Sequence, residues 1–313
     1  MKKITFLGNF RVDYTTETHH ANSLESLGYQ VIRLQETEAT SGQIFREALT
    51  SDLFVWVHTH KWQTPGRFGM DQVLLELKDA GVPTMTYHLD LWLGLNRQKD
   101  LHRDPVYQHI QHFFTVDSRM ADYFNKKTQV TGHYLPAGVY DKECTYKPAE
   151  LTHDVIFVGS KTYHTEWPYR PRLIKFLEQT YRDKFKLYGR DGIKTVRGQE
   201  LNDLYASTKV VVGDTLCPEF KYPDYWSDRI YETLGRGGFL IHPYIPGLER
   251  EFEDKKHVVF YQYKNWEQLE ELINYYLEND KEREAIRKAG HELVKKKYTY
   301  KNRWQHILKE LGV

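Results

Sequence analysis

Along the chain, short apolar runs alternate with stretches whose apolar positions recur at helical spacing. Residues 3–7 (KITFL) form the first run, closed by Gly8-Asn9-Phe10. A helical pattern spans Thr18 to Leu27 and stops at Gly28, a residue that readily takes the left-handed turn ending a helix. Val31 to Leu34 reads as a second strand. A short helix around Gln43 to Leu49 then leads into Asp52–Val57, DLFVWV. Unbroken apolar runs of this kind suit strands covered on both faces, as in a parallel sheet. Helix Asp71–Ala80, strand Pro83–Tyr87, strand Phe113–Val116, helix Ser118–Asn125 and strand Val130–Leu135 continue the alternation. The pattern predicts an open, doubly wound α/β sheet up to Leu135.

Pro136 to Thr152 carries two prolines, a glycine and mixed charge without a period, and reads as an interdomain linker. Beyond it the alternation resumes. Strand Asp154–Val158 closes on Gly159, followed by helix Pro171–Tyr181, strand Phe185–Tyr188, helix Glu200–Ala206 and strand Lys209–Val212. Helix Ser227–Arg236 and strands Phe239–His242 and Val258–Tyr261 come next. Helices Trp266–Glu278, Lys281–Lys297 and Lys301–Leu311 end the chain. The expectation is two α/β domains of similar size, 1–140 and 141–298. Ligands of open α/β sheets bind beyond the carboxyl ends of strands, so two such domains facing each other put the default site in the cleft between them.

Composition narrows this reading. The 313 residues suffice for two cores, and 40% apolar with 28% charged residues is globular. A formal charge of +1 gives no general case for a polyanionic partner. Two cysteines, Cys144 and Cys217, are too few for a disulfide framework, so the reducing cytoplasm is the expected compartment. The N-terminal apolar run is broken by Gly8 and Asn9 and makes a strand rather than a signal peptide, and no stretch is long enough to span a bilayer. The 14% of aromatic residues is first a matter of cores and tyrosine-rich surface, and second of faces able to stack on sugars or bases.

Candidate chemistry concentrates in residues 223–243, PDYWSDRIYETLGRGGFLIHP. Ser227 is placed to cap a helix whose free N–H groups would receive a diphosphate. Arg229 in the first turn adds a charge-assisted contact, and Glu232, about a turn deeper, can accept from both hydroxyls of a ribose. Asp224 precedes the helix and is placed for hydroxyls of a transferred sugar. Gly235, Gly237 and Gly238 permit the tight turn into the next strand. An ordinary capped surface helix would carry similar residues, so the surrounding blocks matter.

Those blocks carry a resemblance. RIYETLGRGGFLI, Gly247-Leu248, Phe252, WEQLEELINYYLEN and Glu282-Arg283 occur in that order, preceded by DVIFVGS, KLYG and ELNDLYASTKVVVG and followed by KYTYKNRW. Over residues 152–304 the chain resembles the C-terminal half of CgeB-like glycosyltransferases, within the wider GT-B group of retaining nucleotide-sugar transferases. The resemblance implies GT-B architecture: two Rossmann-like doubly wound domains facing a cleft, with 299–313 forming a helix that crosses back to the first domain. It implies a nucleoside-diphosphate sugar as donor, UDP-linked, and no cofactor. Two acidic residues eight apart bind that donor in the retaining families. Glu232 matches the ribose position and Asp224 the sugar position, although Asp224 is an aspartate where many relatives have glutamate and lacks their glycine-rich follow-up. The turn Gly159-Ser160-Lys161, with Arg170 and Arg172 beyond it, is where further donor contacts are implied. No two aspartates lie two positions apart, so the Asp-x-Asp metal motif of the other large glycosyltransferase architecture is missing. That fits a metal-independent enzyme in which the leaving phosphate itself assists deprotonation of the acceptor.

The first domain is expected to take the acceptor. Gly8 is a candidate by position only, since no G-x-G-x-x-G follows the first strand. Thr15 or Thr16 can cap the first helix, with Glu17 as a dipole carboxylate or, with His19, a cleft residue. His58 and His60 follow one strand; His88 and Asp90 follow another and are the preferred acceptor-side pair. No acidic or cysteine partner stands beside His58 and His60, so no metal is assigned. The loop Lys61–Gly69, with Arg97, Lys99 and Arg103, is basic and reads first as a solvated connection, second as a grip on a phosphate backbone. The acceptor is therefore a small molecule or glycan, or alternatively a hydroxymethylated base in viral DNA. A nucleotide-sugar epimerase of the same architecture is the rival enzyme class.

Overall fold

A computed structural model describes residues 1–57, 69–91, 95, 105–162, 167–215 and 222–313. The chain divides into two units, Met1–Pro136 with Tyr300–Val313, and Ala137–Thr299.

In the first unit six parallel strands lie in the order β2-β1-β3-β4-β5-β6: β1 (Lys3–Gly8), β2 (Gln30–Gln35), β3 (Leu53–Trp56), β4 (Thr84–His88), β5 (His112–Thr115) and β6 (Thr131–Tyr134). All four residues of β3 are buried, as an apolar run covered on both faces must be. Helices α1 (Thr16–Ser26), α2 (Ser41–Leu49), α3 (Met70–Asp79), α4 (Pro105–His109) and α5 (Ser118–Lys127) connect the strands. One side of the sheet is filled by Leu7, Ile44, Phe54, Trp56, Leu74 and Phe113. Thr15 caps α1 by accepting from the Thr18 N–H at 3.2 Å. Helix α4 was not expected, because five residues hold too little period to register in the sequence.

The last helix, α11 (Tyr300–Leu311), packs on α1. Trp304, fully buried, donates from Nε1 to His20 Nδ1 at 3.1 Å, and the Tyr300 ring stacks on the His20 imidazole at 4.0 Å. Burial, and secondarily the neighbouring His19, lowers the His20 pKa to about 3, so this imidazole is neutral and accepts.

In the second unit five parallel strands run β11-β10-β9-β7-β8: β7 (His153–Val158), β8 (Phe185–Tyr188), β9 (Thr208–Val212), β10 (Leu240–Pro243) and β11 (Val259–Tyr261). The connecting helices are α6 (Tyr169–Tyr181), α7 (Gly198–Ala206), α8 (Arg229–Gly235), α9 (Trp266–Glu278) and α10 (Asp280–Lys297). Phe157, Leu173, Val210, Phe239, Ile273 and Ile286 belong to its core. Arg287 of α10 is fully buried and donates to the carbonyls of Tyr205 and Gly237 at 2.9 and 3.0 Å, satisfying groups left open where α7 and α8 end. The start of the segment read as a linker is not a free tether. Val139 and Cys144 are buried, Val139 bridges to Thr299, and Glu143 pairs with Arg236. Burial pushes the Cys144 thiol up to about 12, which leaves it unreactive. Among the described residues no helix is long and apolar enough to cross a membrane.

Candidate functional site

The strand order of the second unit reverses between β7 and β9, and open α/β sheets bind ligands outside the carboxyl ends of strands at such a switch point. Gly159 follows β7 there, and Gly213, Asp214 and Thr215 follow β9. Asp214 is fully buried and charged, because two arginines from different helices converge on it. Arg170, in the first turn of α6, donates from Nε to Oδ2 at 2.7 Å; Arg229, opening α8, donates from Nη1 to Oδ1 at 3.3 Å. Both guanidinium groups lie over the Phe157 ring, 5.6 and 5.9 Å from its centroid. Burial raises the Asp214 pKa, but Arg170 and Arg229 overcome it and hold the carboxyl below its usual range. For Arg229 burial acts downward and Asp214 reverses it, so the cation is reinforced. Gly159 makes room for this arrangement. A Cβ there would stand 3.2 Å from Arg229 Cζ, and its φ of +152° disfavours any side chain.

Among the described residues, several polar atoms near these strand ends and the start of α8 are buried without a hydrogen-bond partner: Arg170 Nη2, Thr215 Oγ1, Ser227 Oγ and His242 Nε2. Burial lowers the His242 pKa to about 4, against the upward pull of the Pro243 carbonyl and Asp214, so this ring is neutral.

Helix α8 corrects one expectation. It is seven residues long, its cap position is Asp228, and no side chain caps it, so Ser227 does not. Asp228 is already in the right-handed helical conformation, whereas a capping side chain needs an extended backbone. A helix about 10 Å long also offers a weak dipole, and the positive charge at this end is that of Arg229. Glu232, one turn on, is half-buried and its carboxylate has no hydrogen-bond partner among the described residues. Asp224 lies in a left-handed turn with φ +65°; its N–H donates to the Pro246 carbonyl at 3.1 Å and its carboxylate pairs with Arg250.

The remaining predicted donor residues divide. The Ser160 carbonyl accepts from Arg170 Nη1 at 3.3 Å. Lys161 is held elsewhere, its N–H on Asp191 at 2.8 Å and its amine on Glu178 at 3.1 Å. Arg170 serves the buried carboxylate, whereas Arg172, two positions on, is exposed.

In the first unit the order reverses between β1 and β3, where Gly8 closes β1. Glu17 of α1 lies over that glycine: a Cβ on Gly8 would stand 2.9 Å from Glu17 Cγ. His88 ends β4, 7% exposed, with the rings of Tyr107 and Phe113 at 6.2 and 5.6 Å; Asp90, two residues further, is half-buried. Asp117, beyond β5, caps α5 by accepting from the Arg119 N–H at 3.0 Å, and burial pushes its carboxyl up to about 6. His58, His60, residues 61–68, Arg97, Lys99, Arg103 and Cys217 lie outside the described residues. Among the described residues no three His, Cys, Asp or Glu side chains are grouped to hold a metal.

Sequence reading missed Asp214, Thr215 and His242. The signal for Asp214 was present: it follows an apolar strand, the same position that singled out Gly8, Gly159 and His88.

The chain is similar to several known proteins. A family model described as glycosyl transferase-like matches residues 170–309, which take in α6 through most of α11. No curated protein matches. Among solved structures, Anabaena Alr3699/HepE in complex with UDP-glucose superposes with a TM-score of 0.68 at 13% identity, covering 100% of both chains. An alpha-glucosyltransferase in complex with UDP and a DNA 13-mer containing an HMU base gives 0.73 at 9%, again over 100% of both. Sucrose-phosphate synthase from Thermosynechococcus elongatus gives 0.61 at 10%, over 99% of both. The class is GT-B: two Rossmann-like domains with parallel sheets.

Proposed function

We propose that the protein is a GT-B glycosyltransferase that moves a sugar from a UDP-linked donor to an acceptor hydroxyl, with retention and without a metal. The observation that carries this is Glu232, a half-buried carboxylate with no hydrogen-bond partner among the described residues, one turn from an arginine anchored at the switch point of its sheet. Glu232 accepts from the ribose hydroxyls. Arg229 offsets the charge that develops on the leaving diphosphate, in place of a metal. As the bond between anomeric carbon and phosphate oxygen breaks, the acceptor oxygen bonds to that carbon on the same face and its proton passes to the leaving phosphate. Residues 141–298 form the donor domain, which takes in most of the CgeB-like resemblance over 152–304. Asp224, with Arg250, stands at the transferred sugar, and Gly159 and Ser160 border the diphosphate. Residues 1–140 supply the acceptor side through His88 and Asp90, with Glu17, and the reaction belongs in the cytoplasm. Support comes from the glycosyl transferase-like match and from the fold shared with proteins solved with UDP or UDP-glucose.

Incubation with a panel of UDP-sugars, reading UDP release and the anomeric proton of the product by NMR, tests the proposal. We expect one sugar to be consumed with its anomeric configuration kept. Inversion, free epimer without transfer, or no binding across the panel refutes it. A DNA acceptor is the second reading, favoured by the fold shared with the alpha-glucosyltransferase solved on DNA. Absence of a gel shift with hydroxymethylated duplex at low salt excludes it.

A further inference from the structure

The two arginines beside Asp214 differ in what surrounds them. Arg170 is 3% exposed and bound at 2.7 Å, while Arg229 is 25% exposed and bound at 3.3 Å. Arg170 is therefore a buried strut, and Arg229 presents part of its guanidinium outward. Three features fix how it is presented: the Asp214 carboxylate on one edge, the Phe157 ring beneath, and the bare backbone of Gly159 alongside. The charged edge is the directional one, since an arginine-carboxylate contact sets the plane of the fork whereas a ring contact does not. Asp214 itself is fully buried.

We propose that Asp214 is a positioning residue: it holds the Arg229 guanidinium in the pose that receives the donor diphosphate. This rests on the donor-site reading of Arg229 given above. Asn is nearly isosteric with Asp, but its amide has one acceptor. Serving the closer Arg170 with that oxygen turns the NH2 toward Arg229, which loses its anchor.

The test compares Asp214→Asn, Asp214→Glu, Arg229→Ala and the double variant D214N/R229A. We expect D214N to weaken UDP binding roughly tenfold, the scale of one charge-assisted hydrogen bond, and to lower kcat as well as raise KM. Binding of uridine, which lacks phosphates, stays unchanged. D214E, which restores the charge, recovers part of the loss. In the R229A background D214N costs less than twofold more, because the group it positions is gone. Equal losses in both backgrounds, or equal losses for UDP and uridine, overturn the proposal. So does failure of both D214N and D214E to fold, which would make the carboxylate an element of the core alone. If R229A itself leaves UDP affinity unchanged, the donor-site reading is what fails, and this inference falls with it.

Discussion

Removing Glu232 tests the donor site most directly, because the structure predicts a large effect on binding and almost none on folding. The carboxylate has no hydrogen-bond partner among the described residues, so Glu232→Ala breaks no hydrogen bond seen in the fold. Alanine is also the better helix former at that place in α8. The melting temperature is therefore expected to hold or rise slightly. On the proposed reading, the bound donor places two ribose hydroxyls on the two carboxylate oxygens. Hydrogen bonds to a charged group contribute ~1.5–3 kcal/mol each when well shielded. Glu232 is only half-buried, so about 2–4 kcal/mol in total is the reasonable expectation, a loss of ~30- to 1000-fold in affinity. Calorimetry with UDP and with its 2′,3′-dideoxy analogue isolates the effect. The natural protein should prefer UDP by roughly that factor, and E232A should bind both alike. If E232A keeps the preference for the diol, Glu232 is not the ribose residue.

Trp304→Ala removes a fully buried ring and the donor on His20, and is expected to cost ~3–5 kcal/mol; hydrogen exchange should show lost protection in α1 and β1 with β7 and β9 unaffected. Acid should destabilise the protein in a window set by its buried neutral histidines. The folded pKa of His20 is lowered to about 3 and that of His242 to about 4, from 6.5. The unfolded chain takes up their protons first, so stability is complete above pH 6.5 and falls as pH drops toward 3 to 4, at up to ~1.4 kcal/mol per pH unit for each group. His20→Asn keeps an acceptor for Trp304 without titrating, so its denaturant midpoint should change less with pH across that window; an unchanged slope contradicts the assignment. Chelation with EDTA should leave sugar transfer within twofold, and a loss restored by a divalent ion would refute the metal-free reading.

How far the sequence could be read depended on the range of the interaction. Strands such as DLFVWV and TKVVV announce themselves because a parallel sheet buries both faces of a strand, leaving an uninterrupted apolar run. The start of α8 was misplaced because Trp226-Ser227-Asp228 offers two capping side chains, and local preference does not say which backbone turns first. Long-range polar pairs were harder still. Arg170 and Asp214 are 44 positions apart, and His20 and Trp304 are 284 apart, so only the wound topology brings each pair together. The eightfold spacing of Asp224 and Glu232 was visible, but not that Asp224 brings Arg250 as its own partner.

The two sheets share one winding, with the order reversing next to the first strand of each, and both close that strand with a glycine. The reason is the same in each unit: a charged side chain from a helix passes over the backbone where a Cβ would stand. At Gly8 the missing Cβ admits Glu17, and at Gly159 it admits Arg229. One architectural device thus carries opposite charge in the two units. A nucleoside diphosphate is anionic, so the turn carrying Arg229 is the one suited to it. On that ground we propose the second unit for the donor and the first for the acceptor. Neutralising either group, with Glu17→Gln or Arg229→Gln, should then divide cleanly: the first variant changes the KM of the acceptor and leaves UDP binding alone, and the second does the reverse.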